Sequence, residues 1–589
     1  RYFETRRTGR PSHSQIVDIQ FWRDGMNFMA MLRKPSAGWL LVALIIWVAV
    51  AFIYTPILTV LKFAFAPDGQ LSFGAIDELS GSRRVRAAVL NTLIVTGLSI
   101  ITVNIIGIFQ VAALEYLKIR GRGFLRLAYS TPLIFVSVAA ATGYGFVYGQ
   151  TGALTRMLQS FWPNLPNDWF SGIFAVVFAH TFLLTSYHFL FLRAAIRRVD
   201  YSTVEAARSL GASNIRAFTK VVLPVLLPTI FATTLLVTYK SLGSFSLPAI
   251  LGGRKFDMVT EIILTLNSLR RPDMAAMMSI GLGTVVVLCI LAMQYIERRG
   301  NYIGGAKTPV PIERVHISNP IVNAVTHGAA YLIAFIQLLP IALVLLFSFA
   351  PAKSIGTEVI PSSLTLKNYI TVFTESAAYG PLKNSLLMGL VAVAAGIIIS
   401  LYVVNLVHRH KNWFTNALDL TFMIPWMLPA AFIAMGLILT FSVSNYLIGG
   451  ATLLGSFWIL PIGYAIVNIP MMIRFLRAAF LSLDPALNEA AQSLGAPAHY
   501  RFLRVTFPLV LPVVVLIGGM TLNIIMSEYS MSAFLFNVNN KPLSMALFEG
   551  ARSGNPEQAA INLVYITLIM VFSFVTITLV DKYGLGSRN

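Results

Sequence analysis

The sequence predicts an all-α integral membrane protein with twelve transmembrane helices, arranged as two parallel repeats of six. Three observations predict this: the composition, the spacing of the apolar runs and an internal repeat. Mean hydropathy is +0.73, and only 12% of residues are charged, whereas a water-soluble domain carries about 25%. Lipid admits only helices and closed barrels, and the apolar runs do not alternate with polar residues as barrel strands do.

Apolar runs of about 20 residues, the length that an α-helix needs to cross the hydrocarbon core, recur along the chain. The predicted spans of the first half lie near residues 39–66, 89–117, 124–148, 171–197, 222–247 and 274–297. Those of the second half lie near residues 322–350, 382–407, 414–441, 455–481, 506–535 and 559–582. Six spans in each half, an even number, give both halves the same orientation.

The internal repeat is clearest between residues 200–228 and 484–512, where 13 of 29 positions are identical at a constant offset of 284. Three further pairs match: residues 191–195 with 475–479, Asn91-Thr92 with Asn384-Ser385, and Pro132 with Pro425. The last two pairs stand at an offset of 293. Parallel repeats of this kind pair about an axis along the membrane normal. The predicted domains are an N-terminal segment (1–38), a first half (39–297), a linker (298–320) and a second half (321–589).

Lys and Arg are distributed unevenly between the two sides of the predicted membrane. With a cytoplasmic N-terminus, the inner segments hold 29 of these residues and the outer loops 13. The positive-inside rule therefore predicts that both termini are cytoplasmic. Nucleic-acid binding is disfavoured despite the net charge of +20, because the basic residues are spread over many short loops.

The N-terminal segment has no recognisable cleavable signal. Its residues 16–32 mix apolar and polar side chains, which is compatible with either a helix on the inner leaflet or a loosely ordered tail. The single cysteine, Cys289, excludes a disulfide within the chain, and its position in an apolar span is typical of a small buried side chain.

The repeated segment is interpreted as a cytoplasmic hairpin of two short helices. Asp484 is a good N-cap with Pro485 at the first helical position, and Gly211 and Gly495 are placed to end the first helix of each copy. An Ala-Ala pair in each copy gives a surface of small side chains that another protein can approach closely.

The repeated Glu-Ala-Ala, three residues, Gly pattern resembles the loop signature of permease subunits of binding-protein-dependent ABC importers. The whole chain after about residue 36 is similar to the fused-dimer, type I permeases for ferric iron, whose relatives carry thiamine, polyamines and phosphonates. The matching residues are Glu205, Ala206, Ala207 and Gly211, and Glu489, Ala490, Ala491 and Gly495. The resemblance implies coupling helices seated on two copies of a cytoplasmic ATPase, a separate periplasmic or extracellular substrate-binding protein, and location in a bacterial inner membrane.

ATP hydrolysis is not expected of this chain. A phosphate-binding loop needs Gly, four residues, Gly-Lys-Ser/Thr after a strand; in the nearest string, residues 300–308, Ala306 stands where the Lys is required. No catalytic residue, metal site or cofactor is therefore predicted here, and ATP and Mg are expected on the partner ATPase.

Ionisable residues inside spans are costly and are candidates for function. Lys240 and Glu528 follow Pro228 and Pro512 by 12 and 16 residues, which suggests comparable positions in the outer halves of related helices. Two interpretations stand: both residues face the central path as part of an outer gate, or both snorkel to the surface. His180 and His188, in the fourth span, are interpreted as interior histidines with hydrogen-bond partners.

Two other classes of function would leave different patterns in the sequence. A secondary transporter driven by an ion gradient would favour broken helices and several acids at the midplane, and a membrane enzyme would need a convergent nucleophile or metal set. Neither pattern is evident in the sequence. The substrate stays open: ferric iron is favoured by resemblance alone, and phosphonate, thiamine, a polyamine or a sugar phosphate are the alternatives.

Overall fold

The computed structural model describes residues 37–583 apart from residues 68, 136, 254–255, 300–312 and 411. The predicted surface helix at residues 16–32 and the glycine-containing string at residues 300–308 lie outside the described residues. Within the described ranges the regular structure is helical, and extended pairing is limited to two isolated bridges. The prediction of an all-α membrane protein is confirmed.

In the described part of the first half there are fourteen α-helices, and π-helical turns join α1 to α2 and α10 to α11. They are α1 (Ala37–Ala49), α2 (Thr55–Phe65), α3 (Gly74–Gly81), α4 (Arg83–Val111), α5 (Arg122–Ser130), α6 (Ser137–Tyr148), α7 (Ala153–Phe161), α8 (Gly172–Ile196), α9 (Tyr201–Ser209), α10 (Asn214–Ala217), α11 (Leu223–Leu242), α12 (Ser246–Leu251), α13 (Val259–Ser268) and α14 (Pro272–Arg299).

Between residues 320 and 583, residue 411 excepted, the second half has twelve α-helices. They are α15 (Pro320–Ser348), α16 (Lys367–Thr374), α17 (Ser376–Arg409), α18 (Trp413–Met423), α19 (Ala430–Phe441), α20 (Ile459–Leu481), α21 (Pro485–Ser493), α22 (Ala498–Arg501), α23 (Phe507–Met526), α24 (Ser530–Leu535), α25 (Leu543–Ser553) and α26 (Pro556–Tyr583). The starts of α21 to α26 all follow those of α9 to α14 by 284 residues. The repeat seen in the hairpin sequence therefore continues through the last two spans of each half.

Ten of the twelve predicted spans are continuous helices, and the third and ninth are broken. The third bends by 115° near Pro132 and the ninth by 106° near Pro425, and each proline lies in a short 3₁₀ turn. Proline has no N–H to donate and clashes with the preceding turn, so a helix cannot continue through it undisturbed. The expectation that this chain lacks broken helices was wrong, and that feature no longer separates it from a secondary transporter.

The fifth and eleventh spans also end earlier than predicted. The helices α11 and α23 stop at Leu242 and Met526, and short separate helices follow after a turn. Hydropathy did not reveal the turns because the residues on either side of them are apolar.

The first helices of the two halves cross over to the opposite half. Helix α2 packs against α14 of its own half and α19 of the other. The Tyr54 hydroxyl lies 2.8 Å from Thr421 Oγ1. Gly436 permits the closest approach, because a Cβ atom there would lie 2.9 Å from Pro56.

Helix α15 makes the reciprocal crossing onto α5, α6 and α8. Its buried Gln337 donates to the Phe182 carbonyl and to Thr185 Oγ1, both at 3.3 Å, and accepts from Gln110 Nε2 at 3.2 Å. A buried amide is costly unless it is hydrogen-bonded, so these bonds fix the orientation of α15 on the first half. The two halves are thus interlocked rather than laid side by side.

Candidate functional site

Two equivalent hairpins, α9–α10 and α21–α22, connect α8 to α11 and α20 to α23. Asp200 Oδ1 accepts from Ser202 N at 3.1 Å, and Asp484 Oδ1 accepts from Ala486 N at 2.9 Å. These contacts confirm the predicted N-cap in the second copy and show the same cap in the first.

Each first hairpin helix ends in the same glycine motif. Gly211 has φ of +87° and Gly495 of +78°, a conformation that costs other residues about 1–2 kcal/mol. One further bond closes the turn in each copy: Ala212 N donates to Ala207 O at 3.0 Å, and Ala496 N donates to Ala491 O at 3.1 Å. This is the Schellman arrangement, which satisfies the last helical carbonyls. Both hairpins therefore have a fixed shape.

The predicted hairpin residues lie on the outside of the molecule. Exposed are Glu205, Ala206, Gly211, Glu489, Ala490 and Gly495, whereas Ala207 and Ala491 are half-buried. Sequence reasoning missed Leu210 and Leu494, which are 90% and 88% exposed at the two turns. Their signal was present, since both belong to the repeated Ser-Leu-Gly-Ala string. A large apolar side chain displayed at the same place twice is typical of a contact surface for a protein partner.

The end of the linker holds the first hairpin, and the residues that the structure describes include no equivalent contact at the second. Tyr201 donates to Glu313 at 3.4 Å, and Asn214 Nδ2 donates to the His316 carbonyl at 3.4 Å. Between these, Val315 N donates to the Tyr116 carbonyl at 2.9 Å. In the first copy Val204 is buried, whereas the helix α21 has no buried residue. The second hairpin is consequently the more accessible of the two.

An arginine at the base of each hairpin forms an ion pair with a carboxylate. Arg193, near the end of α8, pairs with Glu115 at 2.7 Å, and its equivalent Arg477 pairs with Asp419 on α18. At the offset of 293, Asp419 corresponds to Arg126, so the two halves supply the carboxylate from different helices.

Lys240 and Glu528 lie near the interface between the halves, but they are not equivalent positions. At the offset of 284, Lys240 corresponds to Ile524 and Glu528 to Ser244, one helical turn apart, which corrects the prediction of matched positions. Lys240 is exposed in the last turn of α11, with its Nζ atom 6.0 Å from the centroid of the Tyr239 ring. Glu528 Oε2 accepts from Met531 N at 2.8 Å and so caps α24.

Phe245 and Tyr529, in the turns before α12 and α24, are equivalent positions that contact each other. Their ring centroids lie 5.0 Å apart, and both side chains are buried. Sequence reasoning missed this pair, although the offset of 284 relates the two residues directly. The contact closes the space between the halves at the end opposite to the hairpins.

Behind this contact, each half has the same two hydrogen bonds. Asn91 Nδ2 donates to the Asp257 carbonyl at 3.0 Å, and Asn384 Nδ2 donates to the Lys541 carbonyl at 3.1 Å. The neighbouring hydroxyls accept from the first residues of α13 and α25: Thr92 Oγ1 from Val259 N at 3.0 Å, and Ser385 Oγ from Leu543 N at 2.7 Å. The second long helix of each half, α4 or α17, thereby holds the outer loops in place.

His180 and His188 have hydrogen-bond partners inside the first half. His180 Nδ1 lies 3.1 Å from Ser99 Oγ and its Nε2 lies 2.9 Å from Ser244 Oγ, while His188 Nε2 lies 3.1 Å from Asn104 Oδ1. Among the residues that the structure describes, no group of three or more His, Cys, Asp or Glu side chains could hold a metal ion.

Comparison with known proteins gives a consistent result. Residues 117–299 and 392–583 match the family described as binding-protein-dependent transport system inner membrane component. A probable ABC transporter permease protein of Sinorhizobium fredii is 51% identical over 93% of this chain and 96% of its own length.

More distant relatives carry different substrates in their names. An Fe(3+)-transport system permease protein of Haemophilus influenzae is 23% identical over 86% of this chain and 92% of its own length. An sn-glycerol-3-phosphate transport system permease protein of Escherichia coli O157:H7 is 28% identical over 34% of this chain and 70% of its own length.

Proposed function

Because this chain belongs to the family of binding-protein-dependent transport system inner membrane components, we propose that it forms the transmembrane pathway of an ATP-driven importer. A separate substrate-binding protein would deliver the cargo, and two copies of a separate ATPase, carrying ATP and Mg, would drive alternating access. The chain itself supplies the pathway and the mechanical coupling.

The paired hairpins are the observation that supports this proposal best. Each presents an exposed leucine at a rigid turn, beside an alanine pair of low steric bulk and an exposed glutamate. Two copies of one docking surface, related by the internal repeat, fit a partner that itself comes in two copies. The coupling residues are Glu205, Ala206, Ala207, Gly211, Glu489, Ala490, Ala491 and Gly495.

Movement of the hairpins would reach the far side of the membrane through α11 and α23. Each helix begins directly after a hairpin and its π-helical turn, and each ends immediately before the contacting rings Phe245 and Tyr529. ATP-driven approach of the two ATPases would bring the hairpins together and separate the rings. The pathway would then open on the side of the binding protein.

The orientation follows from charge. Lys and Arg are concentrated on the hairpin side of the chain, and the positive-inside rule assigns that side to the cytoplasm. We therefore propose that this bacterial inner-membrane protein has both termini and both hairpins in the cytoplasm.

Ferric iron is the first substrate to test, because the Haemophilus influenzae relative is described as an Fe(3+) permease. A sugar phosphate is the second, because the Escherichia coli relative is described as an sn-glycerol-3-phosphate permease. Phosphonate, thiamine and polyamine follow from the resemblance of the sequence. In each case we propose Lys240 and Glu528 as residues of the translocation path, since each is an ionisable residue within five positions of the contacting rings Phe245 and Tyr529.

The test is co-purification of the ATPase with the double variant E205A/E489A after expression with its neighbouring genes. Loss of the ATPase and of ATP-dependent uptake is expected, while E557A, which removes an exposed glutamate outside the hairpins, should retain both. Full ATPase binding and uptake by the double variant would overturn the assignment of the hairpins. Uptake driven by an ion gradient without any ATPase would favour a secondary transporter.

A further inference from the structure

A cluster of arginines lies beside the first hairpin and is not explained by the proposed coupling role. It consists of five side chains: Arg122 and Arg193, which pair with Glu115, Arg126 and Arg197, each four residues further along the chain, and Arg314. Arg314 is next to Val315, whose N–H donates to the carbonyl of Tyr116, the neighbour of Glu115. Arg122, Arg126 and Arg193 are half-buried, and Arg197 and Arg314 are exposed. The cluster therefore opens to the surface with part of its charge held inside the protein.

Glu115 is the carboxylate that contacts this cluster, and both of its oxygen atoms are paired with arginines. Its side chain is 9% exposed, its Oε2 pairs with Arg122, and its Oε1 accepts from Arg193 Nε at 2.7 Å. Of the carboxylates that the structure describes, Glu115 is the one that forms ion pairs with any of these five arginines. Positive charges held this close repel one another, and a bound anion would offset that repulsion.

Two donors in the cluster are buried without an acceptor. In the part of the chain that the structure describes, the Nε atoms of Arg122 and Arg126 are both inaccessible and without a hydrogen-bond partner. A buried N–H that stays unpaired costs about 1–3 kcal/mol. The two arginines are one helical turn apart on the same face of α5, so their guanidinium groups can converge on one anion.

The apolar surroundings of the cluster match the tail of a lipid. On α5, Phe124 and Leu127 are 51% and 57% exposed. On α8, Leu190 and Phe191 are also exposed and lie within one turn of Arg193, towards the span. Guanidinium groups at the end of a span beside exposed apolar side chains are the arrangement that binds the headgroup and acyl chains of an anionic lipid.

In the described part of the second half, the equivalent positions do not repeat the cluster. Positions equivalent to Arg122, Arg126 and Arg197 hold Thr415, Asp419 and Leu481, and the pair Arg477–Asp419 has Arg474 as a positive neighbour. The positive-inside rule alone does not explain why five arginines gather in one half and not in the other. We propose that this cluster binds the phosphate headgroup of an anionic phospholipid in the leaflet on the hairpin side.

The experiment is native mass spectrometry of the purified protein with phosphatidylglycerol, with phosphatidylcholine and with inorganic phosphate. We expect phosphatidylglycerol to be retained in preference to phosphatidylcholine, and inorganic phosphate to be retained more weakly than the lipid. R122Q/R126Q should lower the affinity for phosphatidylglycerol roughly thirtyfold, and R126Q alone, which leaves the pairs of Glu115 intact, roughly fivefold.

The matched control is R208Q/R504Q, which removes two exposed positive charges from the hairpin side, outside the cluster. It should bind phosphatidylglycerol like the unaltered protein. Equal losses in the control and in R122Q/R126Q would overturn the proposal, as would inorganic phosphate binding as tightly as the lipid. A crosslink from the cluster to an acidic segment of the ATPase that persists with excess phosphatidylglycerol would also overturn it.

Discussion

Phe245 and Tyr529 are equivalent residues of the two halves, and their rings meet at a centroid distance of 5.0 Å with an interplanar angle of 51°. Two positions related by a pseudo-two-fold axis can contact each other only if both lie close to that axis. The contact therefore marks the position of the axis and leaves no gap between the two halves at this point. Tyr529 is further supported by Phe548, whose ring centroid lies 4.7 Å away.

Replacing Phe245 and Tyr529 with alanine should weaken the contact between the two halves. F245A/Y529A removes an aromatic contact of about 0.5–1.5 kcal/mol in addition to its buried area. We expect the reconstituted transporter to hydrolyse ATP severalfold faster without its binding protein, and to take up less substrate per ATP. The measurement is ATPase activity in vesicles, with F161A, an exposed ring away from the axis, as the control. An unchanged ratio of uptake to hydrolysis would show that the rings do not form a gate.

Alanine at the hairpin glycines should affect the partner more than the fold. Gly211, Gly495 and the outer-loop Gly356 all have φ near +80°, and a Cβ atom at any of them would meet nothing within 4 Å. Each substitution should cost about 1–2 kcal/mol of stability. Only G211A and G495A are expected to reduce co-purification of the ATPase. If G356A reduced it equally, general destabilisation would explain the loss.

The arginine at the base of each hairpin pairs with a carboxylate from a different helix in each half. We expect the arrangement of the second half to work in the first half as well. E115A should destabilise the first half by about 2 kcal/mol, because Arg193 loses a charged partner. Adding R126D places a carboxylate where the second half has Asp419, and we expect most of the thermal stability to return. R126A in the same background removes the positive charge without adding an acid, so it should restore less. Equal recovery by R126A and R126D would show that only repulsion was relieved.

Glu261 makes stability depend on pH. It lies on α13, outside the spans, and burial raises its pKa from 4.5 to about 8, against the opposing bond from Met258 N at 2.8 Å. The charges acting on it are Asp257, Arg552 and Arg84. Because the folded protein holds this proton more tightly than the unfolded chain, the unfolding free energy should fall as pH rises from about 4.5 to about 8.

E261Q should flatten this dependence, since an amide does not titrate. The measurement is the thermal unfolding temperature between pH 5 and pH 8, for the unaltered protein, for E261Q and for E557Q as an exposed control. The same slope in all three proteins would assign the pH dependence to other groups.

Lys240 and Glu528 should differ in the kind of defect they cause. E528Q weakens the cap of α24 and is expected to lower stability by about 1 kcal/mol. K240Q removes a charge that is exposed and bears no cap, so it should alter uptake with little change in stability. Charge reversal at Glu528 that left uptake unchanged would remove it from the path.

The sequence predicted the helical class, the two repeats and the hairpins because these depend on composition, period and local capping. Asp200, Asp484, Gly211 and Gly495 act within a few residues of their own position, and such local chemistry can be deduced from the chain alone. The exposure of these residues and the identity of their neighbours in space could not be deduced in this way.

The crossing of α2 and α15, and the breaks at Pro132 and Pro425, depend on packing between distant segments. Proline inside an apolar run predicts a disturbance but not its angle, and an apolar helix gives no signal of which neighbour it contacts. The Phe245–Tyr529 contact was hidden for a different reason, since it required knowing that the turns lie on the axis.

Because both halves belong to one polypeptide, equivalent positions can hold different residues, which is impossible in a homodimer. In a complex of two identical subunits, a lysine at the position of Lys240 would face its own copy, and the two positive charges would repel each other. Here Ile524 occupies the matching place, so Lys240 has no lysine opposite it across the axis. Each half can thus specialise: at this level the first half carries a lysine and the second half an apolar isoleucine.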